Sequence, residues 1–321
     1  MIDTMIYELT TSSRGEELFP YHDIGPQGRA PRLALVADLH GNELNGMFVL
    51  SRLAAFLRGV SLGERRGLRL RERVVIVPTI NTLESRGFGP ARAGAGVGYR
   101  RSMWAAATGA LVALTRAAYY RVDIHQVSLD IEEMPQVRLY APSDDERATA
   151  CLFGLPAVIE RPMERDVAPG LARAWRQRSG ENFSIHAGQS GSLQTRHCET
   201  LFRALVSFLD RTGIVGGLNL TGDEEELRYF GPQQIDVVRA EQPGIFSSHL
   251  EVGRWVRTGD ELGQIYDSFS GGLRVRVAAP VAGLLASLRR QPLLGEGELL
   301  ARILLPDSAT GREPAAVRSA A

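Results

Sequence analysis

His40 and Glu43 stand three residues apart in the stretch ADLHGNELNG (37–46), directly after an apolar run, and VDIH (122–125) again places an aspartate two residues before a histidine. Imidazole nitrogens and carboxylate oxygens are the donors of zinc sites, and two histidines, one glutamate and an open position make a catalytic zinc shell. Side chains alternate along a strand, so Asp38 shares a face with His40, and Asp123 with His125. There each carboxylate can hold the second nitrogen of its imidazole, as metal-ligating histidines usually require. Spacing alone leaves a plainer alternative open. In it His40 caps a helix, Glu43 favours the positive end of that helix and His125 is an ordinary hydrogen-bonded histidine; a histidine and a glutamate three apart are a weak pattern.

The elements that must position these residues alternate in kind. Short apolar runs, RLALVADL (32–39), RVVIVPTI (73–80), YYRVDIH (119–125), AVIER (157–161) and FSIHAG (183–188), read as strands. Between or after them, 44–58, 104–118 and 195–211 carry helical periodicity. Strands separated by helices imply an α/β domain over 1–222, with a mainly parallel or mixed sheet covered by helices on both faces. Ligand crevices in such sheets lie beyond the carboxyl ends of the strands, and His40, Asn81, His125 and His186 all fall at or just after such ends. From about residue 223 to 306 the pattern changes to short β segments with glycine turns, which implies a small all-β module. Residues 307–321, rich in small and polar residues, read as a disordered tail.

Composition excludes several chemistries. The 321 residues are 44% hydrophobic, enough for two cores, and 37 basic residues balance 37 acidic ones, so no general attraction to nucleic acid or an anionic membrane is expected. Every basic residue other than histidine is arginine. Without lysine there is no Schiff base, no Walker-type phosphate loop and no attachment point for lipoyl or biotinyl groups. Cys151 and Cys198 follow no paired spacing and read as structural thiols of a reducing compartment. No leader pattern and no window of about 18 apolar residues is found, so a cytoplasmic protein is expected.

HGNE (40–43), then Asn81 after the next strand, then DIH (123–125), resembles the succinylglutamate desuccinylase and aspartoacylase family of zinc-dependent deacylases, related to the metallocarboxypeptidases. The resemblance spans nearly the whole chain, including IEEMPQVRLY (131–140) and the β module. It implies a zinc carboxypeptidase-like fold, one zinc per chain held by His40, Glu43 and His125, and hydrolysis of the amide bond of a small acylated amino acid or amine. The balanced charge adds the expectation of no nucleic-acid or membrane partner, and a homo-oligomer is left open. In GYRRSMW (98–104) Arg101 matches the arginine of the family's asparagine-arginine pair, which grips a substrate carboxylate, whereas Arg100 stands where asparagine is expected. An arginine fork still suits a carboxylate, although Arg86, Arg92 and Arg100 read equally as solvated surface residues. Glu132 and Glu133 read either as neighbours of the site or as exposed.

The family's general base is a glutamate in a stretch like F-x-x-E-x-G, and His186 in FSIHAG occupies that place. Three readings are open: a neutral imidazole that takes the proton of an activated water, a fourth metal ligand that closes the site, or an enzyme retired to metal or ligand binding. His197 reads as exposed or packing, and His22 and His249 carry no motif. The β module resembles the barrel of lipoyl and biotinyl carriers, but its APVAGLLA hairpin (279–286) has no lysine to modify. Family precedent gives such a module the role of narrowing the active-site mouth; a plain stability domain is the alternative.

Overall fold

The computed structural model describes residues 4–11, 15–37, 39, 42–80, 108–126, 128–164, 169–218, 220 and 228–306. Asp38, His40, Asn81, Arg86, Arg92, Arg100, Arg101 and the tail 307–321 lie outside the described residues. The chain divides into two compact units, Met1–Tyr229 and Phe230–Ala321. Among the described residues no helix is long and apolar enough to cross a membrane.

The first unit runs β1 (Thr4–Thr11), β2 (Gly15–Ile24), β3 (Leu33–Ala37), α1 (Leu44–Ser61), β4 (Arg69–Leu70), β5 (Val74–Val77), α2 (helical over 108–115), β6 (Tyr120–His125), β7 (Ile131–Tyr140), α3 (Asp144–Ala150), β8 (Ala157–Arg161), α4 (Gly170–Arg176), β9 (Glu181–Gly188), α5 (Thr195–Arg211) and β10 (Val215–Gly216). Its mixed sheet has the order β1-β2-β5-β3-β6-β9-β7-β8. The central strands β5, β3, β6 and β9 are parallel, whereas β7 runs antiparallel to β9. LALVA of β3 and VVIV of β5 are buried at every position, as parallel strands covered on both faces require.

One face packs on α1 and α5. Val49, Leu50, Leu53, Ala54 and Leu57 of α1, and Cys198, Leu201, Leu205 and Phe208 of α5, recur at helical spacing and join Leu35, Val122, Ile124, Phe183 and Ile185 in the main core. Phe153 stacks on Phe208 with ring centroids 4.2 Å apart. On the other face Leu111 of α2 and Leu171 and Trp175 of α4 cover Val36 and Val77. The buried Trp175 indole is satisfied by donating to Thr115 Oγ1 at 2.8 Å. α3 starts where Ser143 and Glu146 form a reciprocal capping box.

The chain leaves β3 through α1 for β5 on one side and later returns through β6 on the other. The strand order therefore reverses between β3 and β6. Sheets of this kind take their ligands at the carboxyl ends of the strands beside such a switch point, where β3 ends at Ala37 and β6 at His125.

The short β11 (Arg228–Phe230) spans the division between units. Residues 230–306 contain strands and no helix: β12 (Ile235–Arg239), β13 (Gly244–Ser247), β14 (Trp255–Val256), β15 (Glu261–Tyr266), β16 (Leu273–Ala278), β17 (Gly283–Arg289), β18 (Leu293–Leu294) and β19 (Leu299–Leu304). They pair antiparallel as β14-β17-β19-β12 and β16-β15-β13-β18. Ile265, Leu285, Leu288, Ala301 and Ile303 form their core.

Candidate functional site

Glu43 occupies the N-cap position of α1 but makes no capping hydrogen bond. Its fully buried carboxylate turns back instead, accepting from Leu39 N–H at 2.8 Å and from Gln126 N–H at 3.1 Å. The approach depends on Gly46. A Cβ there would lie 3.0 Å from Ala37 Cβ and 3.2 Å from Ile124 Cγ2, so glycine lets the first turn of α1 seat directly on β3 and β6. Asn45 and Gln126 fix the same junction, with Asn45 N–H donating to Gln126 Oε1 at 2.7 Å and Gln126 Nε2 donating to Gln189 O at 2.6 Å.

His125, 3% exposed, stands between two carboxylates: Nδ1 lies 3.2 Å from Glu43 Oε1 and Nε2 lies 2.7 Å from Asp123 Oδ2. Burial is the largest single influence on its basicity and lowers it, but Asp123 and Glu43 together outweigh burial and push the imidazole up to about 10. One proton on His125 balances one of these two carboxylates; a divalent cation on Nδ1 would balance both. The spacing suits that exchange. Two donors about 2.0 to 2.1 Å from one tetrahedral zinc are about 3.3 Å apart, and Asp123 supplies the carboxylate partner of a metal-ligating histidine's other nitrogen. Among the described residues no three histidine, cysteine or acidic side chains are grouped to hold a metal. Glu43 and His125 form a pair whose expected third member, His40, lies outside the described residues.

His186 lies beside His125 in the register of β9 and β6, with ring centroids 5.3 Å apart. It is 2% exposed, and among the described residues neither ring nitrogen makes a hydrogen bond. Burial, reinforced by the cationic Arg138 and opposed by Glu133, lowers its basicity to about 4, so the ring is neutral near pH 7. Glu133 Oε2 lies 3.3 Å from His186 Nδ1, close but outside hydrogen-bond geometry, and Arg138 donates to Glu133 Oε1 at 2.5 Å.

Of the two acidic residues left open in IEEMPQVRLY, Glu133 is thus buried beside the site. Glu132 instead accepts from Gln194 at 3.0 Å and lies 2.7 Å from His197 Nε2. His197 is accordingly buried and paired, not exposed. Arg138, Gln126 and Asn45 were not singled out by spacing; the available signal was polar side chains within otherwise buried strands and a helix start. A cavity of about 450 Å³ lined by Arg29, Arg32, Tyr119 and Thr212 lies at the amino ends of β3 and β6, the opposite edge of the sheet.

No family model matches the chain. Over 296 residues, 86% of this chain and 83% of the relative, it is 24% identical to the N-alpha-acetyl-L-2,4-diaminobutyric acid deacetylase of Halomonas elongata. The product-bound structure of the ectoine utilization protein EutE (DoeB) from Ruegeria pomeroyi matches with a TM-score of 0.70 at 20% identity over 94% of each chain. The succinylglutamate desuccinylase/aspartoacylase from Rhodobacter sphaeroides matches with a TM-score of 0.69 at 17% identity, again over 94% of each chain. The chain has the desuccinylase/aspartoacylase fold. On that fold it sets an imidazole at 186 and a carboxylate, Glu133, next to it.

Proposed function

We propose that the protein is a zinc-dependent hydrolase that cleaves the amide bond of a small N-acyl amino acid or related acylated amine. The observation that carries this reading is the convergence of Glu43 and His125 at 3.2 Å, with Asp123 on the imidazole's other nitrogen, at the sheet's switch point. The name of the Halomonas elongata relative, a deacetylase of an N-acetylated diamino acid, supports the substrate class.

In this reading His40, Glu43 and His125 hold one zinc per chain, and Asp38 and Asp123 orient the two histidines. When bound, zinc supplies Lewis acidity to the scissile carbonyl and to the attacking water. His186, neutral and shielded from solvent, takes the proton of that water and returns it to the departing amine. Arg101 orients a substrate anion, and Asn81 and Arg100 support the metal site or the substrate. Residues 230–306 serve as a carrier-like barrel without a prosthetic group, and the protein acts in the cytoplasm.

The test is metal analysis of the purified protein together with a screen of N-acyl amino acids, N-acetyl-2,4-diaminobutyrate among them. Zinc near one per chain with amine release supports the reading. A protein that retains no zinc and releases no amine from any member of the series refutes it.

A further inference from the structure

We propose that Glu133 is a positioning residue which holds His186 in the tautomer protonated on Nδ1, so that the two act as an imidazole-carboxylate dyad. The proposal rests on the deacylase reading for its catalytic consequence and on three features of β7 for its geometry.

The first feature is a bulge. Glu133 pairs with Gly188 and Gln136 with His186, so three steps on β7 match two on β9. Residues three apart on a regular strand point to opposite faces. The extra residue inverts that parity and brings Glu133 to the face that carries Gln136, Arg138 and His186. Bulges re-aim side chains in this way, and Pro135, lying inside it, has no N–H to leave unpaired. The opposite fate of Glu132, which reaches His197 on α5 at the other face of the sheet, confirms the inversion.

The second feature is restraint. Arg138 Nη2 donates to Glu133 Oε1 at 2.5 Å, which leaves Oε2 as the oxygen nearest His186, 3.3 Å from Nδ1. The third is enclosure: Glu133 is 5% and His186 2% exposed, so water does not compete for the pair. A small closure of the 3.3 Å gap makes Nδ1–H the donor and Oε2 the acceptor, and Nε2 then carries the lone pair.

The consequence is a division of labour. Nε2 takes a proton from the attacking water as the water oxygen bonds to the acyl carbon, while the Nδ1 proton stays on the ring. Glu133, held by Arg138, accepts from Nδ1–H while the ring carries both protons, and the Nε2 proton passes to the amine nitrogen as its bond to the acyl carbon breaks. The products are the acid and the free amine. A carboxylate, the group that the family resemblance places at position 186, thus reaches the imidazole from the neighbouring strand, with its charge offset by Arg138.

The test is ring ¹⁵N chemical shifts of His186 in the metal-free protein at pH 7.5, with Glu133→Gln and Glu133→Asp alongside. Wild type should carry its proton on Nδ1, Glu133→Asp should keep that tautomer, and Glu133→Gln should shift toward the Nε2-protonated form. In the zinc-loaded enzyme Glu133→Gln should lower kcat about 10²-fold or more with KM nearly unchanged. An Nε2–H tautomer in wild type overturns the proposal even if Glu133→Gln does not fold, and so does a folded Glu133→Gln with the wild-type tautomer. Failure of the deacylase reading shows separately, as a wild-type protein inert toward every N-acyl amino acid.

Discussion

At pH 7.5 the metal-free protein carries a proton on His125, because Asp123 and Glu43 overcome burial and push that imidazole up to about 10. A metal that takes Nδ1 must displace this proton. The distance from pH 7.5 to a value of about 10 is about 2.5 pH units, or about 3 kcal/mol at about 1.36 kcal/mol per unit. The apparent zinc affinity at pH 7.5 should therefore lie about 300-fold below that of the deprotonated site. Because the proton stays bound in the metal-free state until pH approaches 10, affinity should rise about tenfold per pH unit between 7 and 8.5, with about one proton released per zinc. Asp123→Asn removes the carboxylate 2.7 Å from Nε2 and should act twice. It should weaken zinc binding about 10 to 100-fold at the alkaline end, and it should flatten the pH slope, because His125 then loses its proton at lower pH. Competition with a chromophoric zinc chelator measures the affinity, and calorimetry in buffers of different ionisation enthalpy counts the protons. A pH-independent affinity without proton release would refute the assignment of His125 as the ligand that trades a proton for the metal.

Replacing His186 with alanine should lower deacylase turnover about 10²-fold or more without loss of zinc, and His186→Glu should retain activity; full turnover in the alanine variant would remove His186 from the chemistry. Gly46→Ala should cost about 1 to 3 kcal/mol of stability, since its Cβ would meet Ala37 Cβ at 3.0 Å. It should also weaken zinc binding by displacing Glu43, and an unchanged melting temperature and zinc affinity would contradict that packing. His186 also makes the metal-free fold acid-sensitive. Its basicity falls from about 6.5 when unfolded to about 4 when folded, so its contribution is complete above pH 6.5 and is lost as pH falls toward 4, up to about 3 kcal/mol. Urea unfolding of His186→Gln should show a shallower loss between pH 6.5 and 4.5, and equal slopes in the two proteins would defeat the idea.

The parts of the site visible in the sequence are those that obey a strict period. Asp123 and His125 are two residues apart on a regular strand, so their shared face follows from counting, and Oδ2 lies 2.7 Å from Nε2. Glu43 follows a strand end and opens a helix, which turns it back over that end. Strand order is different in kind. It depends on which strands pair, and the reversal between β3 and β6, at which Glu43 and His125 meet, emerges only from the assembled sheet. The β module likewise shows in its glycine turns, while its pairing into two antiparallel sets does not.

Glu133 shows where counting misleads. Alternation from Gln136 and Arg138 points to Met134 and Glu132 as the residues that share a face with His186, and on a regular strand Glu133 would face α5. The bulge exchanges the two glutamates: Met134 is buried, Glu132 meets His197, and Glu133 meets His186 and Arg138. A proline in an internal strand was the one local clue, because it is tolerated there chiefly at a bulge, but a bulge of unknown position leaves the parity of every residue beyond it undetermined. The sequence also marks position 186 by substitution, an imidazole where the family resemblance implies a carboxylate. Only the register of β7 against β9 reveals that a carboxylate still reaches this point from the adjacent strand. The extra residue in β7 is what aims the Glu133 carboxylate at the imidazole, with Arg138 holding its other oxygen.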